Sequence, residues 1–83
     1  MLTYQIKNSA RKSLSRIHPV YQAKILRDII GLSSNPFPLG YKKLKKDNQY
    51  RIRVGDYRVV YEIDKDHDLI LIVQIEHRKD VYK

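Results

Sequence analysis

Leu2-Thr3-Tyr4-Gln5-Ile6 alternates apolar and polar residues, which is the period of a half-buried strand. Asn8 or Ser9 is placed to cap a following helix over Ala10 to Ile17, in which Leu14 and Ile17 lie on one side while Arg11, Lys12 and Arg16 face water. His18-Pro19 interrupts that helix, because proline disfavours helical geometry in the residue before it; Pro19 also suits the first turn of a second helix. In that second helix Ala23, Leu26 and Ile30 form one apolar line, with Ile25, Ile29 and Leu32 beside it. The stretch from Gly31 to Gly40 holds two prolines, two glycines, two serines and an asparagine, and reads as a loop.

The period then changes. Tyr50-Arg51-Ile52-Arg53-Val54 alternates cleanly, and Tyr57 to Ile63 does so again. Between them Gly55-Asp56 has the composition of a two-residue hairpin turn, and Asp64 to Asp68 forms a second polar turn. Leu69 to Ile75 is apolar at almost every residue, the pattern of a central strand covered on both faces. The expected architecture is α+β in the order β-α-α-β-β-β: one domain over residues 1–83, a small antiparallel sheet packed on an N-terminal helical hairpin.

Counting outward from Gly55-Asp56 sets Val54 against Tyr57, Arg53 against Arg58 and Arg51 against Val60. Tyr50, Ile52, Val54, Tyr57, Val59 and Tyr61 then share the face that packs on the helices, and Arg51, Arg53 and Arg58 share the other. Like charges directly opposite across a strand pair are destabilising, so this pairing has no structural advantage. A phosphate held between the guanidinium groups would turn the repulsion into attraction. The alternative is a solvated face whose long side chains splay apart. Glu62 falls on the same face by alternation, as a tuning group, a base or a surface ion-pair partner.

Charge strengthens the anion reading. Lysine and arginine exceed aspartate and glutamate by 17 − 9 = 8, which favours a polyanionic partner. Lys42, Lys43, Lys45 and Lys46 precede the arginine-bearing strand, either as a solvated loop or as the outer part of an electrostatic funnel for a phosphate backbone. The absence of cysteine excludes a disulfide scaffold, a zinc finger and thiol catalysis. No stretch has the length of a membrane span or of a signal-peptide core, so a cytoplasmic protein without a membrane partner is expected. Asp64, Asp66 and Asp68 alternate as in a calcium loop but lack its glycine and distal glutamate, so neither metal nor cofactor is expected. His18 and His67 read as hairpin and turn residues. The run His77-Arg78-Lys79-Asp80-Val81-Tyr82 puts an imidazole, a guanidinium and a phenol just past the last strand. Metal-free RNA cleavage needs a base for the 2′-hydroxyl, positive charge on the phosphorane and an acid for the leaving oxygen. This run supplies those groups, unless it is only a polar tail docked through Val81 and Tyr82.

Tyr50-Arg-Ile-Arg-Val-Gly-Asp-Tyr-Arg-Val-Val-Tyr61 and His77-Arg-Lys-Asp-Val-Tyr82 resemble the RelE/ParE toxin superfamily, and RelE-type members most closely. The likeness runs over essentially the whole chain, with the last forty residues as its specific part. It implies the toxin of a type II toxin–antitoxin system, a ribosome-dependent endoribonuclease that cuts mRNA in the A site. It also implies an acidic, RelB-like antitoxin and a toxin–antitoxin heterotetramer on operator DNA. Carried over by position, Arg58 and Arg78 stabilise the phosphorane, Arg51 and Arg53 position the backbone, and His77 or Tyr82 moves protons. Arg51 and Arg53 stand where RelE-type toxins usually have lysines, and a guanidinium is a poor proton donor or acceptor. Two other classes share the resemblance: a ParE-like inhibitor of DNA gyrase, and a non-catalytic basic RNA-binding module.

Overall fold

The computed structural model describes the backbone of residues 2–81 and the side chains of residues 2–79. The elements run β1 (Thr3–Ile6), α1 (Asn8–Ser15), α2 (Pro19–Leu32), β2 (Lys42–Lys43), β3 (Gln49–Val54), β4 (Tyr57–Asp64), β5 (Leu69–His77) and α3 (Arg78–Val81). The strands form one sheet in the order β1-β5-β4-β3-β2, with α1 packed on β5 and α2 on β3. The α+β class and the helical hairpin stand as expected. Two elements are additional: β2, which pairs antiparallel with β3, and α3. The sheet is mixed rather than antiparallel, because β1 runs parallel to β5 with Tyr4 beside Ile70 and Ile6 beside Ile72.

Local chemistry sets the helix ends. Lys7, not Asn8 or Ser9, is the N-cap of α1, and no side chain caps it. His18 caps α2, its Nδ1 accepting from the Val20 N–H at 3.3 Å, with Pro19 at the first helical position where its missing N–H costs nothing. Gln22 closes the hairpin: its Nε2 donates to the Ile17 carbonyl at 2.6 Å and to the Ser15 carbonyl at 3.4 Å, serving oxygens freed by the end of α1. Ile25, Ile29 and Leu32 are buried, Leu26 is half-buried, and Ala23 and Ile30 are exposed. The apolar arc of α2 is wider than its contact with the sheet.

The core joins Ala10 and Leu14 of α1 to these α2 residues and to Ile52, Val54, Val59, Tyr61, Ile63, Ile70, Ile72 and Ile75. Tyr61 is fully buried, and its hydroxyl donates to the Pro36 carbonyl at 2.6 Å, tying the 33–41 loop to the sheet. Burial, followed by the neighbouring Tyr41 and Tyr50, pushes the Tyr61 phenol up from 10.0 to about 12.

The continuous apolar run of β5 has a different cause from the one its composition implies. Val60 pairs with Gln74 and Tyr61 with Ile72, so Val73 is an extra residue on β5. The bulge switches which alternate residues face the helices: Ile70 and Ile72 before it, Ile75 after it. On the opposite face Leu69 and Leu71 are only half-buried, so β5 is covered on one side.

Gly55 has φ +60° while Asp56 is not in the positive-φ region, as in a two-residue turn with glycine at its first central position. A Cβ at Gly55 would meet no atom within 4 Å. Gly55→Ala is therefore expected to destabilise through backbone strain alone, by about 1–2 kcal/mol, read as a lower urea midpoint at unchanged slope. Because the Tyr61 phenol ionises later in the folded chain than in the unfolded one, stability is expected to fall as pH rises from 10 toward 12. Tyr61→Phe should flatten that alkaline limb and lower neutral-pH stability by about 1–2 kcal/mol, checked by urea titrations across the pH range.

Candidate functional site

The face of the sheet away from the helices is organised in rows across the strands. Pairing places Lys42, Arg51, Val60 and Gln74 side by side, and next to them Arg53, Arg58 and Glu76. Arg53 stands directly opposite Arg58 and Arg51 opposite Val60, as counting from the turn predicts. Val60, 2% exposed, lies at the centre of this face, with Arg58 and Glu62 flanking it along β4.

Arg58 is the most unusual of these groups. It is half-buried, and its Nε is buried without a hydrogen-bond partner among the described residues. A buried donor left in this way costs roughly 1–3 kcal/mol. Glu76 is its register partner on β5, yet the two ion pairs found among the described residues lie elsewhere, Arg27–Asp28 on α2 and Asp64–His67 in the β4–β5 turn. Glu62 does not pair with an arginine either; its Oε2 accepts from Gln49 Nε2 at 3.0 Å. The face thus holds clustered guanidinium groups and an unpaired inward donor, the features of an anion site.

The other expected site residues divide. Lys42 joins the arginine face, whereas Lys43 pairs with Tyr50 and so projects to the helix side. Lys45 and Lys46 lie in the exposed tip of the β2–β3 hairpin, closed by Leu44 N–H to the Gln49 carbonyl at 2.9 Å. Arg78 opens α3 and is exposed; its N–H donates to the Asp56 carbonyl at 2.7 Å, which brings the start of α3 beside the β3–β4 turn. His77 is not brought to the arginines. It pairs with Tyr57, whose ring it meets edge-on at 5.1 Å, and its Nδ1 accepts from the Lys79 N–H at 3.1 Å as a cap for α3. The parity of β5 beyond the bulge turns this imidazole toward the helices. Tyr82 lies outside the described residues.

Glu76 escaped the reading of the sequence because its position across from Arg58 depends on the β4–β5 register, which a bulge displaces. His67 is the turn residue expected, and its ring holds the Asp64 carboxyl below the usual carboxylate range through a 2.8 Å hydrogen bond.

The profile of a family described as the ParE toxin of type II toxin–antitoxin system, parDE, matches residues 4–82. The chain belongs to this ParE toxin family. Among its relatives, toxin RelG of Mycobacterium tuberculosis is 31% identical, over 98% of this chain and 95% of that protein. The putative toxin RelE1 of Methanocaldococcus jannaschii is 34% identical, over 95% and 92%. The fold is likewise that of the RelE–RelB complex from Pyrococcus horikoshii OT3, with a TM-score of 0.83 at 25% identity, covering 93% of this chain and 94% of that one. This ParE-family chain is a type II toxin–antitoxin toxin of RelE type.

The Arg53–Arg58 pair sets stability against anion binding. Arg53→Glu replaces a like-charge cross-strand pair by an opposite one, and is expected to raise stability by about 0.5 kcal/mol at low ionic strength. The gain should shrink as salt is added, while stabilisation by added inorganic phosphate weakens; thermal melts with and without phosphate check both.

Proposed function

We propose that this toxin is a ribosome-dependent endoribonuclease that cleaves mRNA in the A site without a metal and is neutralised by an acidic, RelB-like antitoxin. The observation that carries the reading is the buried, unpartnered Nε of Arg58 in the middle of an arginine face. It is a donor that a phosphate oxygen would satisfy. The family match and the relatives named RelE and RelG support it, as do neighbours solved as RelB–RelE complexes. A net charge of +8 suits both an RNA backbone and an acidic antitoxin segment.

In this reading Arg51, Arg53 and Lys42 hold the phosphates on either side of the scissile one. The substrate's 2′-oxygen attacks the adjacent phosphorus and the bond to the 5′-oxygen breaks, leaving a cyclic phosphate. Arg58 and Arg78 stabilise the charge on the phosphorane. Glu76, across from Arg58, accepts the 2′-proton, and Tyr82 donates to the departing 5′-oxygen. His77 acts as the cap that sets α3, and with it Arg78, beside the turn. The ribosome supplies in-line geometry, so free RNA is cut slowly.

The test is translation of a defined mRNA with purified toxin, mapping new 5′ ends by primer extension. Cuts at A-site codons are expected only with ribosomes present. Arg58→Ala should lower the cleavage rate by about a hundredfold or more, as removal of a transition-state donor does, with a much smaller loss of RNA affinity. Equal losses in rate and affinity would point to a binding module. Intact mRNA accompanied by DNA breaks would point to gyrase inhibition.

A further inference from the structure

At the β2 end of the molecule the aromatic residues outside the arginine face form a connected group. Phe37 meets Tyr41 at 5.2 Å and Tyr50 at 5.3 Å between ring centroids, and Tyr50 stacks on the buried Tyr61 at 5.8 Å. Despite this packing Phe37 is 42% exposed and Tyr41 40%, and Leu39 between them is fully exposed. The loop that carries them is not loose. Tyr61 Oη holds Pro36, the Phe37 N–H donates to Asn35 Oδ1 at 3.2 Å, and the Tyr41 N–H donates to the Pro38 carbonyl at 3.0 Å. The structure therefore keeps two aromatic rings half in water on a braced support, a costly arrangement for folding alone.

Two observations say what covers them. Lys42, Lys43, Lys45 and Lys46 follow directly, with Asp47 as the one carboxylate in that stretch, and Lys43 lies on the same side of the sheet as Tyr50. A cleft of about 550 Å³, lined by Arg27, Leu39, Ile52 and Arg53 among others, also runs along the edge of β3 beyond β2. It joins the rim of the aromatic patch to Arg53, a member of the arginine face. We propose that Phe37 and Tyr41 form a base-stacking platform for an unpaired nucleotide of RNA whose backbone passes along this cleft from the arginine face. Aromatic rings beside lysines suit such a ligand, because every base has a π-face and every linkage a negative charge. The proposal takes its ligand from the RNA-binding reading of the arginine face and does not depend on cleavage.

The test uses the full-length toxin without ribosomes and two fluorescein-labelled oligonucleotides of equal length, oligo-U and its abasic counterpart, followed by anisotropy. Oligo-U is expected to bind about tenfold more tightly than the abasic strand at the same salt concentration. Phe37→Leu and Tyr41→Leu, which keep apolar bulk while removing the π-face, should erase most of that preference and leave the salt dependence unchanged. Arg58→Ala should weaken both oligonucleotides alike and preserve the preference. Circular dichroism and melting temperature confirm that each variant is folded. Equal binding of the two strands by the unaltered toxin would overturn the platform while leaving the arginine face intact; binding of neither would overturn both readings. Unchanged base preference in the leucine variants, with a loosened antitoxin complex in Leu39→Ser, would assign the patch to the antitoxin instead.

Discussion

The two-residue turn at Gly55-Asp56 is the constraint on which the rest of the sheet depends. With glycine in the left-handed region the chain reverses in the least possible length, so every β3–β4 pair from Val54–Tyr57 to Gln49–Glu62 follows without freedom to slide. A slip of one residue would turn one strand over against the other, carrying Arg51 and Arg53 under the helices and exposing Ile52 if β3 is the strand that turns. Fold and arginine face are thus specified by the same dipeptide. The turn serves the site a second time, because the Asp56 carbonyl receives the first N–H of α3 and anchors the segment bearing Arg78.

The core and the arginine cluster occupy opposite faces of one sheet. The helices cover the side where β-branched and aromatic residues line up, and that burial supplies the driving force for folding. The uncovered side carries a like-charge pair and an unsatisfied guanidinium donor, each unfavourable by only a small part of what the core provides. Such a face is tolerated because its charges remain near water, and the proposed phosphate contact would relieve both. The exposed rings of Phe37 and Tyr41 follow the same logic in apolar chemistry.

What was legible in the sequence was what depends on short-range periodicity. The arginine face, the hairpin register and the second helix opened by Pro19 could be read because alternation and turn chemistry operate within a few residues. Long-range pairing was not legible. Nothing local in Leu2–Ile6 tells a parallel partner from an antiparallel one, and the two residues of β2 are too few to carry a period. The aromatic group was hidden for a related reason: Phe37 and Tyr41 lie in a loop whose shape depends on a hydrogen bond to Tyr61, twenty-five positions from Pro36. The side of the sheet taken by His77 was not legible either, because it depends on a bulge in β5 that leaves no local signal.

That bulge gives β5 a seam. Upstream of Val73 the strand belongs to the framework, with Ile70 and Ile72 facing the helices and β1 alongside; downstream it delivers Glu76 to the open face and leads into α3. An unbulged ladder through the same residues would set Glu76 opposite Tyr57 under the helices and turn His77 to the open face, whereas a strand lacking Val73 would keep Glu76 beside Arg58 with no bulge needed. Which side chains of this end of the chain reach the open face is therefore a matter of phase as much as of composition. The extra residue thus acts as a phase shifter, letting one strand serve the core with even positions at its start and odd positions at its end.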